Sequence, residues 1–117
     1  MSIATTELTL WYGTTQVGRV RDAFCTDATW YGALECAITS DDGPLAGRLV
    51  EFMVFCEQWN QRSAAAPENP PAAAEFDRFA DVVKSGLWFT ETKSGEKQPI
   101  VEAPVFFAGG ELSWRVN

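Results

Sequence analysis

The spacing of apolar residues changes twice along this chain, and those two changes limit the folds it can adopt. Apolar residues occupy every second position near both ends, as half-buried strands require, and follow a helical repeat in the middle. A chain of 117 residues supplies one hydrophobic core, so the pattern predicts a single domain over residues 1–117. The predicted fold is α+β, an antiparallel sheet of about six strands in the order βββ-αα-βββ, with two helices packed on one face.

The first third of the chain predicts a hairpin followed by a third strand. In the segment ELTLWYG, the side chains of Leu8, Leu10 and Tyr12 share one face. The residues Gly13-Thr14-Thr15 then predict a turn into the segment QVGRVRDAF. After a polar corner of sequence CTDAT, the segment WYGALECAI alternates again and predicts the third strand.

A first helix is predicted over residues 44–63. Asp41 or Asp42 would cap its N-terminus, and the proline at its first position suits the first turn. Val50 and Val54 lie four residues apart, opposite the apolar stripe, where the next element or a second copy of the chain would cover them. They are therefore one predicted dimer surface. The buried stripe is expected to contain Leu45, Leu49, Phe52, Met53, Cys56 and Trp59.

A second helix is predicted after the Ala- and Pro-rich loop AAAPENPPAAAE. Asn69 is its expected cap, and Gly86 ends it just after Ser85. Its expected stripe consists of Ala73, Phe76, Phe79, Ala80 and Val83.

The last third of the chain predicts three further strands, in the segments LWFTET, PIVEAPVFFA and ELSWRV. Pro104 has no backbone N–H to donate, so the middle segment is expected to form an edge strand or to contain a bulge. An exposed edge there is a second predicted dimer surface. Gly109-Gly110 predicts a tight turn before the last strand. The residues expected to share a face of the middle segment are Val101, Ala103, Val105 and Phe107.

The charge balance bears on the partners of the protein. Its net charge is −7 and its pI is about 4.4, a field that repels phosphate backbones and favours a basic protein partner over nucleic acid. No apolar run approaches the roughly 20 residues of a membrane span. The N-terminal segment also lacks the basic and apolar regions of a secretory signal. A cytoplasmic protein without membrane association is therefore predicted.

The absence of histidine is the strongest constraint on chemistry. It excludes Ser-His-Asp and Cys-His catalysis, His-ligated metals and the usual general base near neutral pH. Cys25, Cys36 and Cys56 form no C-x-x-C motif, and their apolar neighbours predict buried, reduced thiols. No catalytic residue, metal site or cofactor is therefore predicted, and the protein is not expected to be an enzyme.

Two carboxylates admit two interpretations. Asp22 and Asp27 flank the predicted corner beside Trp30 and Tyr31, and a pair of carboxylates would serve glycoside hydrolysis or hold a hard cation. The favoured alternative is that both are turn and capping residues, as aspartate commonly is. Cys25 lies between them, and nearby carboxylates raise a thiol pKa, which opposes a nucleophilic role.

The aromatic residues on strands predict a binding surface. If Trp11 and Trp88 point away from the helices, they form an apolar patch with Phe106 on the open side of the sheet. The alternative is that the sheet curls and covers them itself. The residues of the predicted binding surface are Trp11, Trp30, Tyr31, Trp88, Phe106 and Trp114.

Three short stretches carry a resemblance to other proteins. They are Gly18-Arg19-Val20, the stretch from Asp27 through Trp30-Tyr31-Gly32, and the C-terminal run from Gly109 to Arg115. With these stretches the chain resembles a group of small bacterial proteins of unknown function and similar length. It lacks the group's usual proline before the aromatic residue and its usual histidine in the last hairpin. The resemblance supports the α+β fold and implies no activity.

Three functional hypotheses follow. The favoured one is a non-catalytic protein-interaction module, of which an immunity-type protein that neutralises a basic toxin is one version. The second is a small-molecule binding domain with an aromatic-lined pocket near Trp30. The third is a hydrolase that uses only the carboxylates of Asp22 and Asp27.

Overall fold

A computed structural model of the protein describes residues 5–116, and within this range the fold is α+β with an antiparallel sheet of seven strands. The single-domain prediction over residues 1–117 extends to residues 1–4 and 117, which lie outside the described residues. The sheet order is β5-β4-β1-β2-β3-β7-β6. The strands are β1 (Thr6–Tyr12), β2 (Thr15–Thr26), β3 (Thr29–Cys36), β4 (Trp88–Thr92), β5 (Lys97–Pro99), β6 (Val105–Phe106) and β7 (Glu111–Arg115).

The prediction of about six strands was wrong because a short strand, β5, forms just before the segment PIVEAPVFFA. That segment was expected to run as one strand, but it contributes only Pro99 to β5, and its own strand, β6, is limited to Val105–Phe106. Between them the backbone of Glu102 takes a left-handed conformation, with φ at 61°, and Pro104 offers no ladder donor. The predicted common face of Val101, Ala103, Val105 and Phe107 is therefore wrong, and the buried residues of the segment are Ile100, Pro104 and Phe106.

The strands β5 and β6 lie at opposite edges of the sheet, and the chain between them closes the sheet on itself. Ile100 donates its backbone N–H to the oxygen of Trp88 at 3.1 Å, and Val101 donates to the oxygen of Arg115 at 2.8 Å. The ring of Trp88 on β4 lies 6.2 Å from that of Phe106 on β6. The sheet is thus strongly curled, and it encloses an apolar interior between its two edges.

Helix α1 (Pro44–Ala65) fills that interior. The ring of Phe52 lies 6.3 Å from Trp88 and 6.1 Å from Phe106, so one helical side chain contacts both edges of the curled sheet. The helix begins at Gly43 without a side-chain cap, and the predicted Asp cap was wrong. The carboxylate of Asp42 instead accepts the backbone N–H of Thr39 at 2.8 Å.

The second predicted helix is mostly a 3-10 helix. Residues Ala73–Phe79 form the 3-10 helix, and a single α-helical turn, α2 (Ala80–Val83), follows. The rings of Phe76 and Phe79 each lie 5.0 Å from that of Phe55, which buries a residue outside the predicted stripe of α1. No helix among residues 5–116 is long and apolar enough to cross a membrane.

Strand β2 contains two bulges that change which side chains point inward. Leu10 pairs with Gly18 and Trp11 with Gln16, so Val17 is an extra residue and its side chain is buried. The second bulge lies at Asp22, whose φ is 56°. It has direct consequences for the open face, which we define as the side of the sheet that α1 and the 3-10 helix do not cover.

Candidate functional site

Half of the predicted binding surface is buried in the core. Trp88 is 1% exposed, Phe106 is 3% exposed and Trp114 is 2% exposed. Trp88 is the ladder partner of Tyr12, and Phe106 is the ladder partner of Leu112. Because ladder partners point to the same side of a sheet, Trp88 and Phe106 point inward with Tyr12 and Leu112. Their assignment to an exposed patch was wrong, because the curled sheet turns their side of the strands toward α1.

Trp30 also lies on the inner side, although it is only partly buried. Its ring stacks on that of Trp114 at 6.0 Å. It lines a separate opening of about 290 Å³ at the end of the curled sheet, together with Leu8 and Thr90. Among residues 5–116, Trp30 is the one aromatic residue that lines this opening, and most of its other lining residues are polar, so the aromatic-lined pocket near Trp30 stays a prediction.

The open face contains two aromatic clusters. The first, which we call the stacked pair, consists of Trp11 and Phe89, which are ladder partners with rings 6.1 Å apart and 5° from parallel. The ammonium group of Lys97 lies 5.5 Å from the ring centroid of Phe89. The stacked pair is therefore in contact with a cation from its own chain.

The second cluster lines a concave groove with a volume of about 470 Å³, which we call the aromatic groove. Phe24 on β2 and Tyr31 on β3 are ladder partners with rings 5.4 Å apart and 24° from parallel. Tyr31 is 39% exposed. The side chains of the groove are Phe24, Tyr31, Ala33 and Phe107, with the carboxylates of Asp22 and Glu111.

The bulge at Asp22 places Phe24 in the groove. A regular strand would put Val20, Asp22 and Phe24 on one face, because side chains alternate with a period of two. The extra residue shifts that alternation, so Val20 and Ala23 point inward and Phe24 points to the open face beside Tyr31. The same bulge keeps the Asp22 carboxylate at the surface, where it is hydrated.

A tight turn assembles the other wall of the groove. Gly109 and Gly110 have φ values of 83° and 82°, which a residue with a side chain rarely adopts. The turn brings Phe107 next to Glu111, and the backbone N–H of Phe107 donates to the oxygen of Glu111 at 2.8 Å. The predicted glycine turn is thus confirmed, and it forms part of the site.

A charged band separates the stacked pair from the aromatic groove. The Arg19 guanidinium donates to the Glu7 carboxylate, and Lys93 lies 3.3 Å from the same group. These donors hold the pKa of Glu7 below its ordinary value. Arg21 and Glu35 form a further ion pair at 3.2 Å. The two clusters are therefore distinct sites and do not form one continuous patch.

The predicted carboxylate pair is not assembled. Asp22 lies in the bulge and Asp27 lies in the hairpin turn between β2 and β3, so they are about 15 Å apart along the strand. Carboxylates that cleave glycosides together are roughly 5–9.5 Å apart. Among residues 5–116, the structure brings together no group of three or more Cys, Asp or Glu side chains that would hold a metal ion.

The thiols differ from the prediction in two cases of three. Cys25 and Cys36 are exposed, because they lie near the ends of their strands beyond the cover of α1. Cys56 is buried on α1 as predicted, and burial raises the pKa of its thiol to about 12.

The predicted dimer surfaces are only partly accessible. Val54 is 44% exposed, and with Val50 it lines a hollow of about 660 Å³ between α1 and the 3-10 helix. Arg48 fills part of this hollow, where it binds Asp81 at 2.7 Å and packs 4.4 Å above the ring of Phe79. The edge near Pro104 is partly covered by α1, since the amide of Asn60 donates to the oxygen of Phe106 at 3.0 Å.

Sequence reasoning missed Phe24, Phe107 and Glu111 as site residues. One signal was present in the sequence, because strict alternation in VRDAF would bury the Asp22 carboxylate at high cost. Such a conflict indicates a bulge, and a bulge there transfers Phe24 to the open face.

Comparison with protein-family models, with curated proteins and with solved structures finds no match to this chain. The resemblance to the group of small bacterial proteins therefore stays a prediction.

Proposed function

We propose that this protein is a non-catalytic protein-interaction module that binds its partner through the aromatic groove. The observation that carries the proposal is the Phe24–Tyr31 stack, in which Phe24 is half-buried and Tyr31 is exposed, beside the acidic residues Asp22 and Glu111. Aromatic side chains dominate the binding energy of protein interfaces, because they bury a large area at a small cost in conformational entropy.

The position of the groove supports this proposal. The groove lies on a rigid sheet whose inner side is packed against α1, so its side chains are held in place before a partner arrives. Its two acidic residues lie beside apolar rings, an arrangement suited to binding. An immunity-type role, in which the module neutralises a basic toxin, is one form that this function would take.

The proposal is tested by capturing partners from a lysate of the native host with immobilised protein and quantitative mass spectrometry. The Phe24→Thr/Tyr31→Thr variant removes the aromatic stack and keeps side chains suited to strands. The matched control is Trp11→Thr/Phe89→Thr, which removes two aromatic residues from the same face. We expect a protein that the wild type and the control enrich and the groove variant does not. Equal capture by all three proteins would contradict the proposal.

A small-molecule function has one observation in its favour, the opening of about 290 Å³ that Trp30, Leu8 and Thr90 line. Its volume is at the lower limit of the roughly 300–1,000 Å³ that ligand pockets occupy. Screening a metabolite library by Trp fluorescence, with Trp30→Phe as the control, tests this alternative. Ligands that quench the wild type and leave the variant unchanged would support it, and an absence of such ligands would argue against it.

A further inference from the structure

The aromatic groove contains two carboxylates that have no cation from their own chain. Among residues 5–116, Asp22 and Glu111 form no ion pair, and no Lys or Arg side chain packs over Phe24 or Tyr31. Two unpaired negative charges beside the negative faces of aromatic rings produce a local field that attracts a cation.

The carboxylates flank the rings from two directions. Asp22 lies in the bulge of β2, and Glu111 on β7 is the ladder partner of Ala33, which follows Tyr31 by two residues on β3. A group that enters the groove beside the ring of Tyr31 therefore has an acidic residue on each of the two neighbouring strands. Phe107 closes the wall next to Glu111, so the stem of an entering side chain would contact apolar surface.

We infer that the aromatic groove binds an arginine side chain presented by a basic segment of a partner protein. This inference rests on the proposed function and specifies the partner's chemistry. A guanidinium group is planar, so it stacks on an aromatic ring while its N–H groups donate to carboxylates at its edge. A lysine ammonium offers the charge without the plane, and an apolar side chain would leave both carboxylates without a partner.

The charge of the whole protein supports the same occupant. At a net charge of −7, the protein attracts a basic segment before contact and orients it toward negative surface. The other aromatic cluster of the open face is already in contact with Lys97, and the charged band pairs its carboxylates with arginine and lysine. The groove thus offers an incoming cation two aromatic rings and two carboxylates that form no ion pair among residues 5–116.

The experiment is a fluorescence-anisotropy titration of a labelled nonapeptide of alternating Arg and Ser, with the full chain as receptor. A peptide in which citrulline replaces every Arg keeps the shape and removes the charge. The groove variant is Asp22→Asn/Glu111→Gln, and the matched control is Asp41→Asn/Glu68→Gln. Each double variant removes two negative charges from the same net charge of −7, and the control does so at exposed sites away from the groove.

We expect the groove variant to weaken binding of the Arg peptide by about tenfold, since it removes two charge-assisted contacts. The control should weaken binding less than about twofold, because it changes only the long-range field. The citrulline peptide should bind the wild type as weakly as the Arg peptide binds the groove variant. Equal losses in the two double variants would overturn the inference, because binding would then reflect net charge alone.

Two further outcomes separate this inference from the proposed function. If free N-acetylarginine amide binds as tightly as the peptide, the ligand is a small organic cation and the inference of a partner segment is wrong. If a captured protein requires Phe24 and Tyr31 but binds Asp22→Asn/Glu111→Gln normally, the interaction module remains and the arginine anchor is overturned. If the peptide binds as expected and no groove-dependent partner is captured, the proposed function fails while the cation site remains.

Discussion

The two aromatic clusters of the open face look alike in sequence and differ in what surrounds them. Both the stacked pair and the Phe24–Tyr31 stack are ladder partners on neighbouring strands. The ring of Phe89 has Lys97 nearby, whereas two acidic residues and no Lys or Arg of residues 5–116 line the groove. Aromatic residues at a surface therefore do not identify a site until the charges around them are known.

The largest expected effect concerns the strands beneath the groove. A Cβ atom added at Gly32 would lie 2.4 Å from Cγ1 of Val20, whose side chain is buried in the core. We expect Gly32→Ala to lower the free energy of unfolding by about 1–3 kcal/mol, because the Val20 side chain must move within a packed core to relieve the contact. Urea denaturation measures this loss.

The helix residue Gly47 provides the control for that substitution. A Cβ atom there would be 3.5 Å from the nearest atom, an ordinary contact. Gly47→Ala should therefore raise stability by about 0.5–1 kcal/mol through helix propensity. If Gly32→Ala were as harmless as Gly47→Ala, the close approach of Gly32 to the buried Val20 side chain would be wrong.

Substitutions in the turns next to the two clusters are expected to change stability in opposite directions. Gly13 follows β1 beside the stacked pair with φ at 60°, whereas Asp27 and Ala28 beside the groove have φ at 52° and 64°. Gly13→Ala should destabilise by about 1 kcal/mol, because alanine is strained in the left-handed region. Ala28→Gly relieves that strain and should stabilise by about 0.5 kcal/mol after the entropic cost of glycine.

Thermal unfolding of Gly13→Ala and Ala28→Gly measures the shift of Tm that each substitution causes. Opposite shifts of Tm support the described turns. A loss of stability in Ala28→Gly as large as that in Gly13→Ala would contradict the left-handed conformation at Ala28.

The smallest expected effect comes from removing the internal cation of the stacked pair. Lys97→Met should change stability by only about 0.5 kcal/mol, since Lys97 is exposed. It leaves Phe89 without a cation and should let the stacked pair attract an arginine peptide weakly. Chemical-shift perturbation at Trp11 and Phe89 checks this, and unchanged shifts in the variant would show that a nearby cation is not what distinguishes the clusters.

The sequence predicted the elements whose signals are local. The β1–β2 hairpin, the third strand, helix α1 and the Gly109–Gly110 turn are all confirmed, because alternation, a helical repeat and turn glycines act within a few residues. The division between β5 and β6 depends on the left-handed backbone of Glu102, a residue type without a strong preference for that conformation.

The candidate site was less predictable, because two adjacent apolar residues in a strand do not show which of them points toward the core. In LWFTET, Trp88 and Phe89 point to opposite faces, and only the pairing of Trp88 with Tyr12 decides which is buried. The neighbours Phe106 and Phe107 raise the same ambiguity, which the pairing of Phe106 with Leu112 resolves. The pairing of distant strands thus determines which aromatic residues lie on the open face, and the local sequence does not predict it.

Among residues 5–116, no Lys or Arg lines the aromatic groove, which takes its cation from the partner. Ser113 is the ladder partner of Tyr31 on β7, so Ser113→Lys would place an ammonium group beside the ring and near Glu111. The control Gln61→Lys adds the same charge on an exposed position of α1. The measurement is the affinity of the Arg peptide for both variants. We predict a loss of about tenfold in Ser113→Lys and less than about twofold in Gln61→Lys, and equal affinities of the two variants would contradict the claim.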